Sequence, residues 1–489
     1  MDDLYWGVIG FVAVLSLMAL GVHVGLALAA TGFIGMLLMT GKMSLALALF
    51  TTTPYSTTNV YAFAILPLFI IMGLFAMHAG LSARAFDAAY KWVGRLPGGM
   101  AIATTWANAM FAACTGSSVV ACAVFTRISL PEMDRRGYDQ AFACGTIAAA
   151  GMLGMLIPPS ALMIVYGILT EQSIGKLLIA GVGPGVLLTL IFTLGIVAVA
   201  ARNPERAPRA EYAPPLMERI KSTAGVIGIV VLVVGIIAGM YTGIFTPTEA
   251  GAAGAAGALV LALLAPLMER WIFRSDTAMA ASNIAAASDP PEAGAASPQG
   301  PIPPPTGVQL DKPGLNWERF SQAMKEAAQT SALVFFILIG AMIFARFLVL
   351  TGLPGEFVEV VQEANIPTLL IMILFLIMYV FLGMFQDSIS MMSITLPIVD
   401  PIITGLGIDR VYFAMLVIMS IEIGLITPPV GLNVYTVRSV AVQMPEGANL
   451  TLENIFKGIL PFFFLSIIAL IILIAVPPIS TFLPSKMFG

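Results

Sequence analysis

Apolar runs separated by short polar punctuation fill this chain. Many run to about 20 residues, the length a helix needs to cross a bilayer and far beyond a barrel strand. The first run, Leu4 to Thr40, is too long for one span and breaks naturally at Gly21-Val22-His23-Val24-Gly25. A polar segment, Thr51 to Asn59, precedes a span over about 60–78. Residues 81–95, with Arg84, Asp87, Lys91 and Arg95, read as an amphipathic helix at the interface. The next apolar run, about 97–134, is interrupted at Thr115-Gly116-Ser117-Ser118. Its two limbs have about 15 residues each, too short at 1.5 Å per residue to cross roughly 30 Å of hydrocarbon. The pattern predicts a re-entrant hairpin with a polar tip near the midplane. A crossing over about 139–168 is broken at Ile157-Pro158-Pro159-Ser160, because proline lacks an N–H and turns its predecessor away from the helical region. Spans follow at about 174–200, 222–240, 247–268 and 329–350, with a short interfacial helix over 316–325. A second interrupted run, about 367–400, breaks at Gln386-Asp387-Ser388. A second broken crossing, 410–440, and a last span at about 456–476 complete the pattern.

The second half echoes the first. A shift of 270 positions lays Phe111 on Phe381, Ser118 on Ser388, Pro131 on Pro401, Gly137 on Gly407 and Asp139 on Asp409, without a gap. Gly154 then falls on Gly424, Pro158-Pro159 on Pro428-Pro429 and Leu162 on Leu432. Apolar matches mean little in so apolar a chain, but these include the glycines, prolines and polar residues in one register. That is an internal duplication. The expected organisation is a first repeat over 1–200, a basic loop over 201–221, the start of a second repeat over 222–274, a disordered Ala/Pro-rich linker over 275–314 and the rest of the second repeat over 315–489.

Composition agrees. Of 489 residues, 59% are hydrophobic and 10% charged, against about 25% charged in a soluble domain. The predicted fold class is an all-α polytopic membrane protein with about ten spanning helices, two re-entrant hairpins and two broken helices. Net charge is −4, and no basic patch with interleaved aromatics points to nucleic acid. Cys114, Cys122 and Cys144 read as small buried apolar residues. Met1-Asp2-Asp3 lacks the basic start of a signal peptide and reads as the beginning of the first helix. Charge also orients the halves. Lys91, Arg95, Arg127, Arg135 and Arg136 flank the first hairpin, which puts its mouth in the cytoplasm. The second is flanked by Glu356, Glu359 and Glu363 and few basic residues, so its mouth faces the other side. Five crossings and one hairpin per half make the second repeat inverted, with both termini outside.

Inverted repeats whose broken helices meet at the midplane are the architecture of secondary transporters. At each break one helix ends in free carbonyls, which with Ser/Thr hydroxyls suit the hard cation Na⁺. The next half-helix starts with free N–H groups, which suit a carboxylate. Each half therefore offers a candidate Na⁺ site. The first comprises Thr115, Gly116, Ser117 and Ser118 with Gly154, Ile157 and Pro158. The second comprises Gly383, Asp387 and Ser388 with Gly424, Thr427 and Pro428. Ser118, Ser160 and Asn433 are candidates to touch an anionic substrate. The plain alternative is that these residues only let helices pack closely. Glu249 and Glu422 could support a site or merely be paired. Gly116-x-Ser118 also matches the nucleophile pattern of intramembrane serine proteases, but that chemistry needs a histidine on a later span, and both His23 and His78 precede the motif.

At Ala64-Ile65-Leu66-Pro67-Leu68-Phe69, Thr115-Gly116-Ser117-Ser118, Leu130-Pro131-Glu132-Met133, Leu153 to Ser160, Thr246-Pro247-Thr248-Glu249-Ala250 and Glu422 to Gly431, the chain resembles the large membrane subunit of tripartite ATP-independent periplasmic (TRAP) transporters. Thr115 stands where that family commonly has Ser, and the 275–314 insert lengthens a normally short connection. The resemblance implies a Na⁺-coupled, elevator-type importer in a bacterial inner membrane. It implies a small four-helix membrane subunit and a periplasmic substrate-binding protein as partners. Its substrate is expected to be an organic acid, such as a C4-dicarboxylate, a sugar acid or a keto acid. A self-sufficient dicarboxylate/Na⁺ symporter is the alternative within transport.

Overall fold

The computed structural model describes residues 2–209, 214–272 and 314–488. All regular structure among them is helical. Among the described residues, six helices are long and apolar enough to cross a membrane, or up to eight if each of two bent pairs counts as one span. Tyr5–Ala19 and Val24–Thr40 are apolar but shorter.

The expected break after the first span is present, between Asp2–Ala19 and Val24–Thr40. His23 Nδ1 starts the second helix by accepting the Gly25 N–H, and Gly41 ends it in the left-handed conformation. The halves then differ. In the first, Met43–Thr58, a short turn at Tyr61–Ala64 and Ile65–His78 are separate. In the second, Trp317–Leu350 is one helix of 34 residues. The interfacial helix expected at 316–325 and the span expected at 329–350 are therefore a single element. No Gly or Pro lies between Trp317 and Ile339, whereas the first half has Pro54 and Asn59 there.

Leu81–Val93 turns by 64° from Ile65–His78. It buries Leu81, Arg84, Phe86 and Tyr90 and packs on Gly99–Thr115 and Leu216–Tyr241. The latter helix begins inside the expected 201–221 loop, immediately after Pro215, whose fixed φ suits a helix start. The linker expected at 275–314 lies, Gly314 apart, outside the described residues. A helix not expected from sequence, Pro478–Phe488, follows the last span, Leu452–Ala475.

Glycines set the closest helix approaches. Gln140–Gly151 meets Leu452–Ala475 where Gly145 faces Gly458. A Cβ at either position would overlap backbone of the opposing helix. Gly458→Ala should therefore destabilise the purified protein by about 1–3 kcal/mol, because backbone must move. At Gly235 an added Cβ meets nothing within 4 Å, so Gly235→Ala should hold or raise stability. Thermal melts of both variants in detergent check this contrast; equal effects would contradict it.

Candidate functional site: two hairpin tips against two broken helices

Both interrupted runs are hairpins. In the first, Gly99–Thr115 and Ser118–Asp134 are joined by two residues, and Gly116 takes the left-handed conformation (φ 57°) that reverses the chain. Ser117 caps the second limb by accepting the Val120 N–H at 3.4 Å. The limbs lie side by side, with the Phe111 and Phe125 rings edge-on at 5.8 Å. The second hairpin pairs Thr368–Gly383 with Ser388–Gly405, extending past the expected end at 400. Its limbs are tied by the Tyr379 and Thr395 hydroxyls, 2.9 Å apart.

Both crossings are broken where the Pro pairs predicted. Leu153–Leu156 gives way to Ala161–Leu169 with a bend of 45°, and Ser160 Oγ caps the second limb from Met163 N–H at 3.4 Å. Arg410–Leu425 gives way to Leu432–Ala441. Pro158-Pro159 and Pro428-Pro429 are both cis.

Each tip packs on the break of its own half. The Ala161 N–H donates to Gly116 O at 3.3 Å, and the Gly431 N–H donates to Met384 O at 3.4 Å. Ala161 and Gly431 are equivalent under the 270-residue shift. The helix before each break also touches the tip through glycine. A Cβ on Gly154 would lie 2.9 Å from Ser117 O, and one on Gly424 2.6 Å from Val380 O and 2.7 Å from Gly383 Cα. No other residue fits these positions without displacing backbone.

The structure thus brings Gly116, Ser117, Ser118, Gly154 and Ser160 together, and Gly383 with Gly424. Thr115 borders them, its Cα 3.0 Å from where a Cβ on Gly73 would stand. Pro158 is buried, and Ile157 packs towards Gly185. The second site is looser. Asp387 is exposed, and its Oδ1 accepts the Ile389 and Ser390 N–H groups at 3.1 and 3.0 Å as a helix cap. Ser388 is buried. The Thr427 hydroxyl donates to Ile423 O at 2.6 Å, and Pro428 is exposed where Pro158 is buried. Among the described residues, Asp387 and Ser388 make no hydrogen bond to Gly424, Thr427 or Pro428.

Asn433 lies elsewhere than its place in the chain suggests. It follows the second break but sits against the first repeat, its Nδ2 3.6 Å from where a Cβ on Gly151 would stand. The two acids left open by sequence separate clearly. Glu249 is an exposed cap: the Thr246 N–H and hydroxyl each donate to its Oε2 at 2.8 Å. Glu422 is fully buried and accepts from the Ser118 hydroxyl at 3.4 Å.

The halves interlock through these elements. Leu432–Ala441 packs on Ser118–Asp134, and Ala161–Leu169 on Ser388–Gly405. Position-matched side chains staple the far ends. Gln140 Nε2 donates to Asp134 Oδ1 (3.2 Å) and to Glu446 O (2.7 Å). Its equivalent, Arg410, donates from Nε to Asp400 Oδ1 (3.1 Å) and from Nη2 to Thr170 O (2.6 Å). Each joins its own hairpin to the chain at the end of the opposite half's broken helix. Sequence reasoning missed this pair, because Gln and Arg do not look like a repeat.

Comparison with known proteins gives the family and the fold. Residues 11–479 match a family described as "Tripartite ATP-independent periplasmic transporter, DctM component". A C4-dicarboxylate TRAP transporter large permease protein from Pseudomonas aeruginosa is 32% identical over 90% of this chain and 89% of its own length. A protein of the same description from Vibrio cholerae is 30% identical over 98% of this chain and 97% of its own. The crystal structure of the Alcanivorax borkumensis YdaH transporter shares the fold with a TM-score of 0.57, at 13% identity over 90% of this chain and 88% of that one.

The capping geometry makes a prediction. Asp387→Ala should cost about 1 kcal/mol of stability, while Asp387→Asn, itself a good cap, should cost little. Thermal melts of the two purified variants read the difference; equal losses would show that the carboxylate does not act as a cap.

Proposed function

The chain belongs to the DctM component family of tripartite ATP-independent periplasmic transporters, and from that premise we propose that it imports a small organic acid by coupling it to Na⁺. As a member of that family it is a large permease component, a multi-pass protein of a bacterial inner membrane, and not an enzyme. We assign it two partners, a small membrane subunit and a periplasmic binding protein that delivers the substrate. C4-dicarboxylates are the first candidates, with sugar acids and keto acids next.

The observation that carries the coupling is the duplicated contact of tip with break. Backbone carbonyls gather at these contacts, Pro159 O against Gly116 and Ser117 O against Gly154 in the first half, Ile421 O against Gly383 and Val380 O against Gly424 in the second. Oxygen donors of this kind suit a hard cation. The half-helices starting at Ala161 and Leu432 begin at the same places, and the N–H groups of Leu162 and Leu432, which no protein acceptor takes up among the described residues, suit a carboxylate. An ion neutralising one end and an anion the other would be bound together, and that is symport. The flanking charges favour a cytoplasmic mouth for the first hairpin and an outside mouth for the second. In this reading alternating access carries the two hairpins and two broken helices across the membrane as one body, as in an elevator. The difference in exposure between Pro158 and Pro428 suits a carrier open towards one side.

Liposomes holding this chain should accumulate substrate only with a Na⁺ gradient, the small subunit and the binding protein all present. Uptake by this chain alone would favour the self-sufficient symporter instead. Uptake indifferent to Na⁺ would remove the cation assignment. Asp387→Asn and Ser118→Ala should each weaken the Na⁺ dependence, and normal coupling in both would show that the tips are structural.

A further inference from the structure

One buried cluster reaches beyond the tip–break contacts. Glu422 lies on Arg410–Leu425 and is 0% exposed. It accepts a single hydrogen bond, from Ser118 Oγ at 3.4 Å, and its Oε2 has no partner. Asn433, on Leu432–Ala441, is also 0% exposed, and neither its Oδ1 nor its Nδ2 has a partner. A Cβ on Gly151 would lie 3.2 Å from Ser118 O and 3.6 Å from Asn433 Nδ2, so Ser118 and Asn433 flank one glycine. Among the described residues, no Lys, Arg or His pairs with Glu422.

A carboxylate so buried is costly unless a positive charge or several hydrogen bonds compensate it. Within a membrane protein such an acid marks function by default. The groups here offer oxygens of three kinds: the unpartnered carboxylate Oε2 and amide Oδ1, and the lone pairs of the Ser118 hydroxyl. Together they make a hard-cation donor set. Gly151, having no side chain, lets Cys122 Sγ, Ser118 O and Asn433 Nδ2 close in around one point. We propose that Ser118, Glu422 and Asn433 form a further Na⁺ site, which shares Ser118 with the first tip and bridges the two repeats. The proposal rests on the Na⁺-coupled reading but adds an ion to it. Ser118 comes from the first hairpin, and Glu422 and Asn433 come from either side of the second break. An ion there holds the two repeats together, and the site is complete only when they meet.

The test is equilibrium binding of radioactive Na⁺ to the purified complex with its small subunit. Glu422→Gln keeps the shape and removes the charge, so it should bind one Na⁺ fewer than the wild type. Asn433→Ala keeps the charge and removes an amide oxygen; its Na⁺ affinity should fall about tenfold. Combining Glu422→Gln with Asn433→Asp restores a carboxylate across the same space and should restore the lost ion, which a purely structural role would not do. Glu422→Gln binding as many ions as the wild type would overturn the site. So would Glu422→Gln losing only proton uptake, read with a pH dye in liposomes. If Glu422→Gln does not fold, unchanged Na⁺ affinity in Asn433→Ala overturns it instead. Should the wild type bind no Na⁺, the coupled reading itself fails, and the two failures are thereby told apart.

Discussion

A peptide group left without a partner in hydrocarbon costs several kcal/mol, and this chain interrupts its helices at two tips and two breaks. The bonds from Ala161 N–H to Gly116 O and from Gly431 N–H to Met384 O show how that cost is met. Each break leans on the tip of its own hairpin, backbone to backbone. Gly154 and Gly424 allow the approach, since a Cβ at either would overlap the tip. Remove that contact and neither the hairpin nor the broken helix has a reason to be where it is.

Function follows from the same arrangement. A continuous helix spends its carbonyls and N–H groups on itself, whereas a broken one keeps some of both for a ligand. In each half a tip and a break meet, and polar backbone is brought together inside an otherwise apolar molecule. The halves are also laced across each other, with Leu432–Ala441 on the first hairpin and Ala161–Leu169 on the second. Gln140 and Arg410 close the ends in matching positions. The hairpins and broken helices are thereby one packed unit. The proposed elevator movement would carry such a unit as one body.

Much of this was legible in the chain because the punctuation is duplicated. Gly and Pro act locally, so Gly116, Pro158, Gly424 and Pro428 announced the tips and breaks to within a few residues. The merging of Trp317–Leu350 was less visible, because its polar first turns resemble a separate surface helix. The position of Asn433 could not be read at all. Its neighbours come from the other half of the chain, and no local pattern encodes which repeat a half-helix lies against. The pairing of Ser118 with Glu422, 304 positions apart, is of the same kind. Asp387 taught a different lesson. An acid at a tip suggested an ion ligand, yet one of its oxygens caps the helix that follows, a local role open to any Asp beside a helix start.

The most direct test of the central claim is a structure of the complex with its small subunit, determined in Na⁺ with bound substrate and again in a Na⁺-free buffer. This account predicts cation density among the oxygens of Gly116, Ser117, Ser118 and Gly154, present in Na⁺ and lost without it, with a substrate carboxylate towards the N–H groups of Leu162 or Leu432. Density for ion and substrate away from both tips and both breaks would contradict it.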